Sequence, residues 1–100
     1  MAHTGYLTPS CIAKDVGATS TKVCDALPPS TGITYRLFQN ISDDADIYLG
    51  LGKAAETNKG LVIRKSGDYE MTIAKGNLYL GEICAIHAGT GNKTLLVTQG

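Results

Sequence analysis

Short runs of β-branched and aromatic residues, cut at nearly regular intervals by Gly, Asn, Asp, Ser and Pro, constrain this chain more than any other feature. Almost no 3.6-residue apolar periodicity is present, so amphipathic helices have nothing to build on. Ile33 to Ile41 is the strongest strand: Ile33, Tyr35, Leu37 and Ile41 alternate with Thr34, Arg36 and Asn40, which places the apolar set on a core face. Ser42-Asp43-Asp44-Ala45 reads as a turn, and Asp46 to Leu51 as a second strand with Ile47, Leu49 and Leu51 inward and Tyr48 outward. Together the two segments predict a β-hairpin.

The same reading gives extended segments over Tyr6–Ala13, Thr19–Asp25, Leu61–Arg64, Asp68–Ala74, Leu78–Leu80, Ile83–Ala88 and Thr94–Thr98. Pro28 and Pro29 cannot join a central ladder, so residues 27–32 form a loop. Residues 52–60 form a long loop, too short to hold a stable helix. Eight or nine short strands at roughly 8–12-residue spacing predict a single all-β domain over residues 1–100, an antiparallel β-sandwich, with residues 1–10 as a possible N-terminal arm.

Composition excludes several functions. The nine acidic and nine basic side chains cancel and neither sign clusters, which argues against nucleic acid. No apolar run approaches the ~18 residues of a membrane span. The N-terminal residues carry neither a positive cluster nor an apolar stretch, so no secretory signal is expected and the chain is expected in the cytosol unless an assembly carries it out. Charged residues make up 18% of the chain, below the ~25% of typical domains, which fits a surface partly covered by partners. Cys11, Cys24 and Cys84 are odd in number, and each sits in an apolar or β-branched run; buried free thiols are expected.

Candidate chemistry fails on spacing. In Ala88-Gly89-Thr90-Gly91-Asn92-Lys93-Thr94, Asn92 separates the glycine from the lysine and too few residues follow for the helix a phosphate loop needs. Asp43, Asp44 and Asp46 lack the glycine and terminal Glu of a calcium loop, and Asp favours turns in its own right. Cys84 and His87 are three apart, so a strand puts them on opposite faces, and the further ligands zinc requires are not nearby. A small hydrolase using Cys84 and His87 stands as a third class behind two binding roles. No catalytic, cofactor-binding or metal residue is assigned, and the chain is expected not to be an enzyme. Asn40-Ile41-Ser42 and Asn92-Lys93-Thr94 match the glycosylation pattern, by chance if the chain is not secreted.

The run Arg36-Leu37-Phe38-Gln39-Asn40-Ile41-Ser42, followed by Ile47-Tyr48-Leu49-Gly50, resembles small virion proteins of tailed bacteriophages. The outline continues through Lys59–Ile63, Ser66–Glu70, Asn77–Tyr79 and Gly81–Gly89, and covers about two-thirds of the chain from Ile33 onward; residues 1–32 match nothing. The resemblance implies a jelly-roll-like sandwich, often trimeric, that decorates or cements a capsid. A tail or fibre-tip module recognising a host-surface glycan is the alternative. The implied partners are the major capsid protein or other virion subunits, and the implied location is the virion, assembled in the host cytoplasm. Contacts are expected from Tyr6, Leu7 and Pro9 in the arm and from outward Tyr48 and Tyr79.

Overall fold

The computed structural model describes residues 10–100, so the expected arm residues Tyr6, Leu7 and Pro9 lie outside the described residues. The strands are β1 (Ser10–Val16), β2 (Thr21–Cys24), β3 (Tyr35–Asn40), β4 (Ile47–Leu51), β5 (Leu61–Ile63), β6 (Asp68–Thr72), β7 (Ile83–His87) and β8 (Lys93–Gln99). A 3-10 turn at Pro29–Thr31 interrupts the proline-containing loop. Strand order is β1-β8-β3-β6 in one sheet and β2-β7-β4-β5 in the other, with every pairing antiparallel. This is jelly-roll wiring, two sheets built from Greek-key connections. Of consecutive strands, β4 and β5 alone pair with each other; each other connection bridges strands that are not hydrogen-bonded neighbours.

The predicted hairpin is therefore not one. β3 pairs with β6 and β8, whereas β4 lies in the opposite sheet between β7 and β5. Residues 41–46 form a corner that carries the chain from one sheet to the other. Alternation of apolar residues cannot separate these cases, because a strand facing another across the core buries every second residue just as a paired strand does.

The buried face of β3 is also the reverse of the expected one. Arg36, Phe38 and Asn40 are buried, Tyr35, Leu37 and Gln39 are half-buried on the outer face, and Ile41 is 56% exposed. Cross-strand partners share a face, so the inner surface of this sheet runs in layers: Gln99–Arg36–Met71, then Ile12–Val97–Phe38–Tyr69, then Lys14–Leu95–Asn40. Opposite them stand Ile83, Ala85 with Leu49, and His87 with Ile47 and Ile63. Expectation reversed the face because it sent Arg36 and Asn40 to water. Both are retained inside because hydrogen bonds satisfy them, to main-chain groups and, for Arg36, also to the Gln99 side chain.

Residues 78–80, predicted as a strand, are irregular: the Leu80 carbonyl accepts from Leu27 N–H, and neighbouring carbonyls point inward to Arg36. β6 stops at Thr72, which leaves Ile73 61% exposed. The long loop 52–60 folds back on the outer face of the second sheet. A side chain at Gly50 would strike the carbonyls of Lys53 and Ala54 at 2.7 and 2.8 Å, and Ala55 N–H is held by Ser20 Oγ at 2.8 Å. Gly60 (φ +76°) closes that loop against the Leu49 carbonyl, a conformation and a contact that only glycine accepts.

The reversed face makes a direct test. Phe38→Ala is expected to cost about 3–5 kcal/mol by emptying the core centre. Leu37→Ala is expected to cost about 1 kcal/mol, and Ile41→Ser to stay within about 0.5 kcal/mol of the parent. Urea unfolding of the three variants checks the order; a Leu37 variant hurt as badly as the Phe38 variant would restore the sequence-based face.

Candidate functional site

Polar side chains with chemical potential gather at the two ends of β3, and the fold uses them. At one end the Arg36 guanidinium, with no exposed surface, donates from Nε to Gln99 Oε1 (2.7 Å), from Nη1 to the carbonyls of Tyr79 (2.7 Å) and Gly81 (2.9 Å), and from Nη2 to the Asp25 carbonyl (2.9 Å). No carboxylate pairs with it among the described residues. The charge is instead held by carbonyl dipoles from two crossing loops, and the planar fork reaches three of them at once. Burial pulls its pKa below the ordinary guanidinium value.

At the other end Asn40 donates to the carbonyls of Ala45 (2.9 Å) and Ile63 (3.0 Å) while its Oδ1 accepts from Ser42 N–H (3.0 Å). His87 on β7, opposite Ile47, is fully buried. Gly89 N–H donates to Nδ1 (2.9 Å), so the ring is the tautomer whose Nε2–H donates to the Gly91 carbonyl (2.6 Å). The loop that resembled a phosphate cradle is thus wound around His87. Among the described residues no buried side-chain nitrogen or oxygen lacks a partner.

The remaining candidates divide in the same way. Cys84 and His87 do lie on opposite faces: Cys84 is opposite Gly50 on the outer face, His87 opposite Ile47 on the inner one. They form no dyad. Cys24 is buried, and burial pushes its thiol from 9.0 up to about 11 although Arg36 and Lys14 pull the other way. A thiol so placed stays protonated at neutral pH and is a poor nucleophile. Cys11, expected to be buried, is exposed on the outer face of the first sheet opposite Thr98. Asp44 Oδ1 accepts from Ser42 Oγ (2.7 Å) and Oδ2 pairs with Lys93 (3.0 Å); these contacts hold its carboxyl below the usual range. Asp46 accepts from Lys65 N–H (2.9 Å) and meets Arg64 at 3.4 Å. Among the described residues no three metal-capable side chains converge.

Of the expected contact residues, Tyr48 and Tyr79 are placed far apart in role. Tyr48 is half-buried on the outer face of the second sheet, in a cross-strand row with Ile86 and Val62, and its hydroxyl donates to Asn58 Oδ1 (3.1 Å). A shallow depression there is lined by Tyr48, Asn58, Lys59, Gly60, Val62 and Arg64. Tyr79 is half-buried against the core, its ring over Gly52 and Gly81, where any side chain would collide with it. Sequence reasoning missed Arg36 and Asn40 as functional to the fold. The available signal was a strand with polar residues at both ends of one face and an aromatic between them. A scan against protein-family models gives no match for this chain, and a search of curated proteins gives none.

Two measurements follow. Arg36→Met leaves three partly buried carbonyls and the Gln99 amide oxygen without their donor. It is expected to cost on the order of 3 kcal/mol, since each orphaned buried acceptor costs ~1–3 kcal/mol and partly buried ones sit at the low end. Arg36→Lys recovers only part, because an ammonium cannot reproduce the fork. Denaturant titration reads both, and a methionine variant as stable as the parent would refute the staple.

Cys24 gives a pH signature. Its folded pKa is raised, so the unfolded chain loses the thiol proton first, and stability declines as pH rises from 9.0 through about 11. Cys24→Ala should flatten that slope whatever it does to stability at pH 7. In the native protein at pH 7.5, alkylation should mark Cys11 quickly and Cys24 only after unfolding, as read by peptide mass spectrometry.

Proposed function

We propose that this chain is a non-enzymatic structural protein of a tailed-phage virion, a homotrimeric decoration or cement protein that binds the head shell as the virion assembles in the host cytoplasm. The observation that carries the reading is the division of labour among side chains. Arg36, Asn40, Cys24 and His87 are tied into the fold, while an apolar row, Ile86–Tyr48–Val62, faces outward beside Arg64 and Lys59. Aromatic side chains with an apolar body and a hydrogen-bonding tip, flanked by charges, suit protein contact. The jelly-roll fold and the resemblance beginning at Ile33 point the same way, although the fold alone hosts many roles.

The mechanism is linkage. A protein that binds only the assembled shell stabilises it by RT ln(1 + [L]/Kd), about 2.7 kcal/mol at a hundred times Kd. Aromatic anchors such as Tyr48, with Tyr6, Leu7 and Pro9 from the N-terminal residues, supply the affinity in this reading. Tyr79 contributes by holding the loop that Arg36 grips.

A second reading, a fibre-tip module for a host-surface glycan, draws on the same depression, where an aromatic ring adjoins an amide. Mixing the purified protein with undecorated heads separates the two. Saturable co-sedimentation and a raised temperature of head rupture are expected, weakened about tenfold or more by Tyr48→Ala, the ~1.4 kcal/mol of one modest anchor. Deleting residues 1–9 should weaken binding further. A protein that ignores heads yet binds a glycan array through Tyr48 would replace the first reading with the second.

A further inference from the structure

Each sheet of four strands has two edges, and the chain treats its four edges unequally. β6 is blocked by its own following turn: Asn77 Oδ1 accepts from Thr72 N–H (2.8 Å), Asn77 N–H reaches the Thr72 carbonyl (3.2 Å), and Asn77 Nδ2 the Glu70 carbonyl (3.3 Å). β5 is three residues long, and Asp46 holds the Lys65 N–H that follows it. β2 is four residues long with a register break between Lys22 and Cys24. β1 has none of these protections. Its seven residues pair with β8 without a bulge, and no main-chain group on its other side has a partner among the described residues. Its middle presents exposed Cys11, Ile12 (49% exposed) and Ala13.

A long, straight, apolar edge is a template for another strand, and folded proteins normally shield one. We propose that β1 is an association edge that pairs antiparallel with β1 of a second copy of this chain, across a twofold axis through Ile12, joining two four-stranded sheets into one of eight. The strand itself selects this occupant and register. Centred on Ile12, the pairing sets Ile12 against Ile12 on the inner face and Cys11 against Ala13 on the outer face, so the exposed apolar triplet covers itself. Centred one residue later, on Ala13, it would set Ile12 against Lys14 and Cys11 against Asp15, burying apolar groups against charges. A twofold contact of this kind is self-complementary and closes after two copies of a single chain. It makes no use of a shell and stands apart from the decoration reading.

Cross-strand trapping tests both the edge and the register. Directly opposed residues of an antiparallel pair lie about 4.5–5.5 Å apart at Cα, within disulfide range. The full chain carrying Ala13→Cys, oxidised gently with diamide, is expected to give a dimer on a non-reducing gel, bridged from Cys11 of one copy to the introduced thiol of the other. The band should vanish when Cys11→Ser or Ile12→Lys is added, while circular dichroism shows the fold intact. Lys65→Cys, exposed in the turn between β5 and β6, should give no such band. A monomer after oxidation of the Ala13→Cys chain, or equal dimer from Lys65→Cys, would overturn the proposal. Strong Cys11–Cys11 bridging in the unsubstituted protein would overturn the register.

Discussion

Three loop carbonyls and one glutamine amide converge on the guanidinium of Arg36, and the closed end of the sandwich rests on that convergence. The Asp25 carbonyl belongs to the chain leaving β2, those of Tyr79 and Gly81 to the chain entering β7, and Gln99 to the last residue of β8. A jelly roll must send its chain repeatedly from one sheet to the other, and each crossing exposes main-chain groups that no ladder can satisfy. One arginine, projecting inward from a central strand, satisfies several such groups together. Apolar packing alone has no means of doing this, since it leaves the carbonyls of the crossings unpaired.

The far end repeats the solution with neutral groups. Asn40 ties the corner after β3 to the end of β5, and His87 closes the turn between β7 and β8 through both ring nitrogens. Phe38 lies between the two staples of β3 in the buried middle of the core, beside its cross-strand neighbours Val97 and Tyr69. The strand is thus polar, aromatic, polar along one face, with each polar residue at a level where loops cross. His87, Asp44 and Asp46, whose chemistry suggests catalysis or metal binding, are held in such contacts. Outward among the described residues stand the Tyr48 row, the half-buried outer face of the first sheet with Leu37 and Leu96, and the edge of β1, which has no strand partner there beyond β8.

Much of this fold is legible in the sequence, and the places where the sequence misleads share one cause. Strands at Thr21–Cys24, Tyr35–Asn40, Ile47–Leu51, Asp68–Thr72 and Ile83–His87 fall inside segments read from β-branched and aromatic runs. Cys84 and His87 were separated correctly because period two is a property of any strand. The face of β3 was reversed because a polarity rule treats Arg and Asn as solvent-seeking, and only partners remote in sequence, such as Gln99 and Ile63, make them interior residues. The run around Tyr79 reads as a strand with the ring outward; it is an irregular segment, turned so that the ring covers two glycines and the carbonyl meets Arg36.

The sequence by itself determined that the chain is all-β, where most of its turns fall, and that its nine acidic and nine basic side chains balance, because these depend on local propensity and composition. Only the tertiary structure decided which strands pair, which face of β3 is buried, which thiol is exposed and which sheet edge has no partner among the described residues. Those outcomes depend on hydrogen bonds between remote residues, such as Arg36 and Gln99, 63 positions apart. Such bonds leave no periodic trace in the chain, since a buried arginine and an exposed one are the same letter until the carbonyls that hold it are in place.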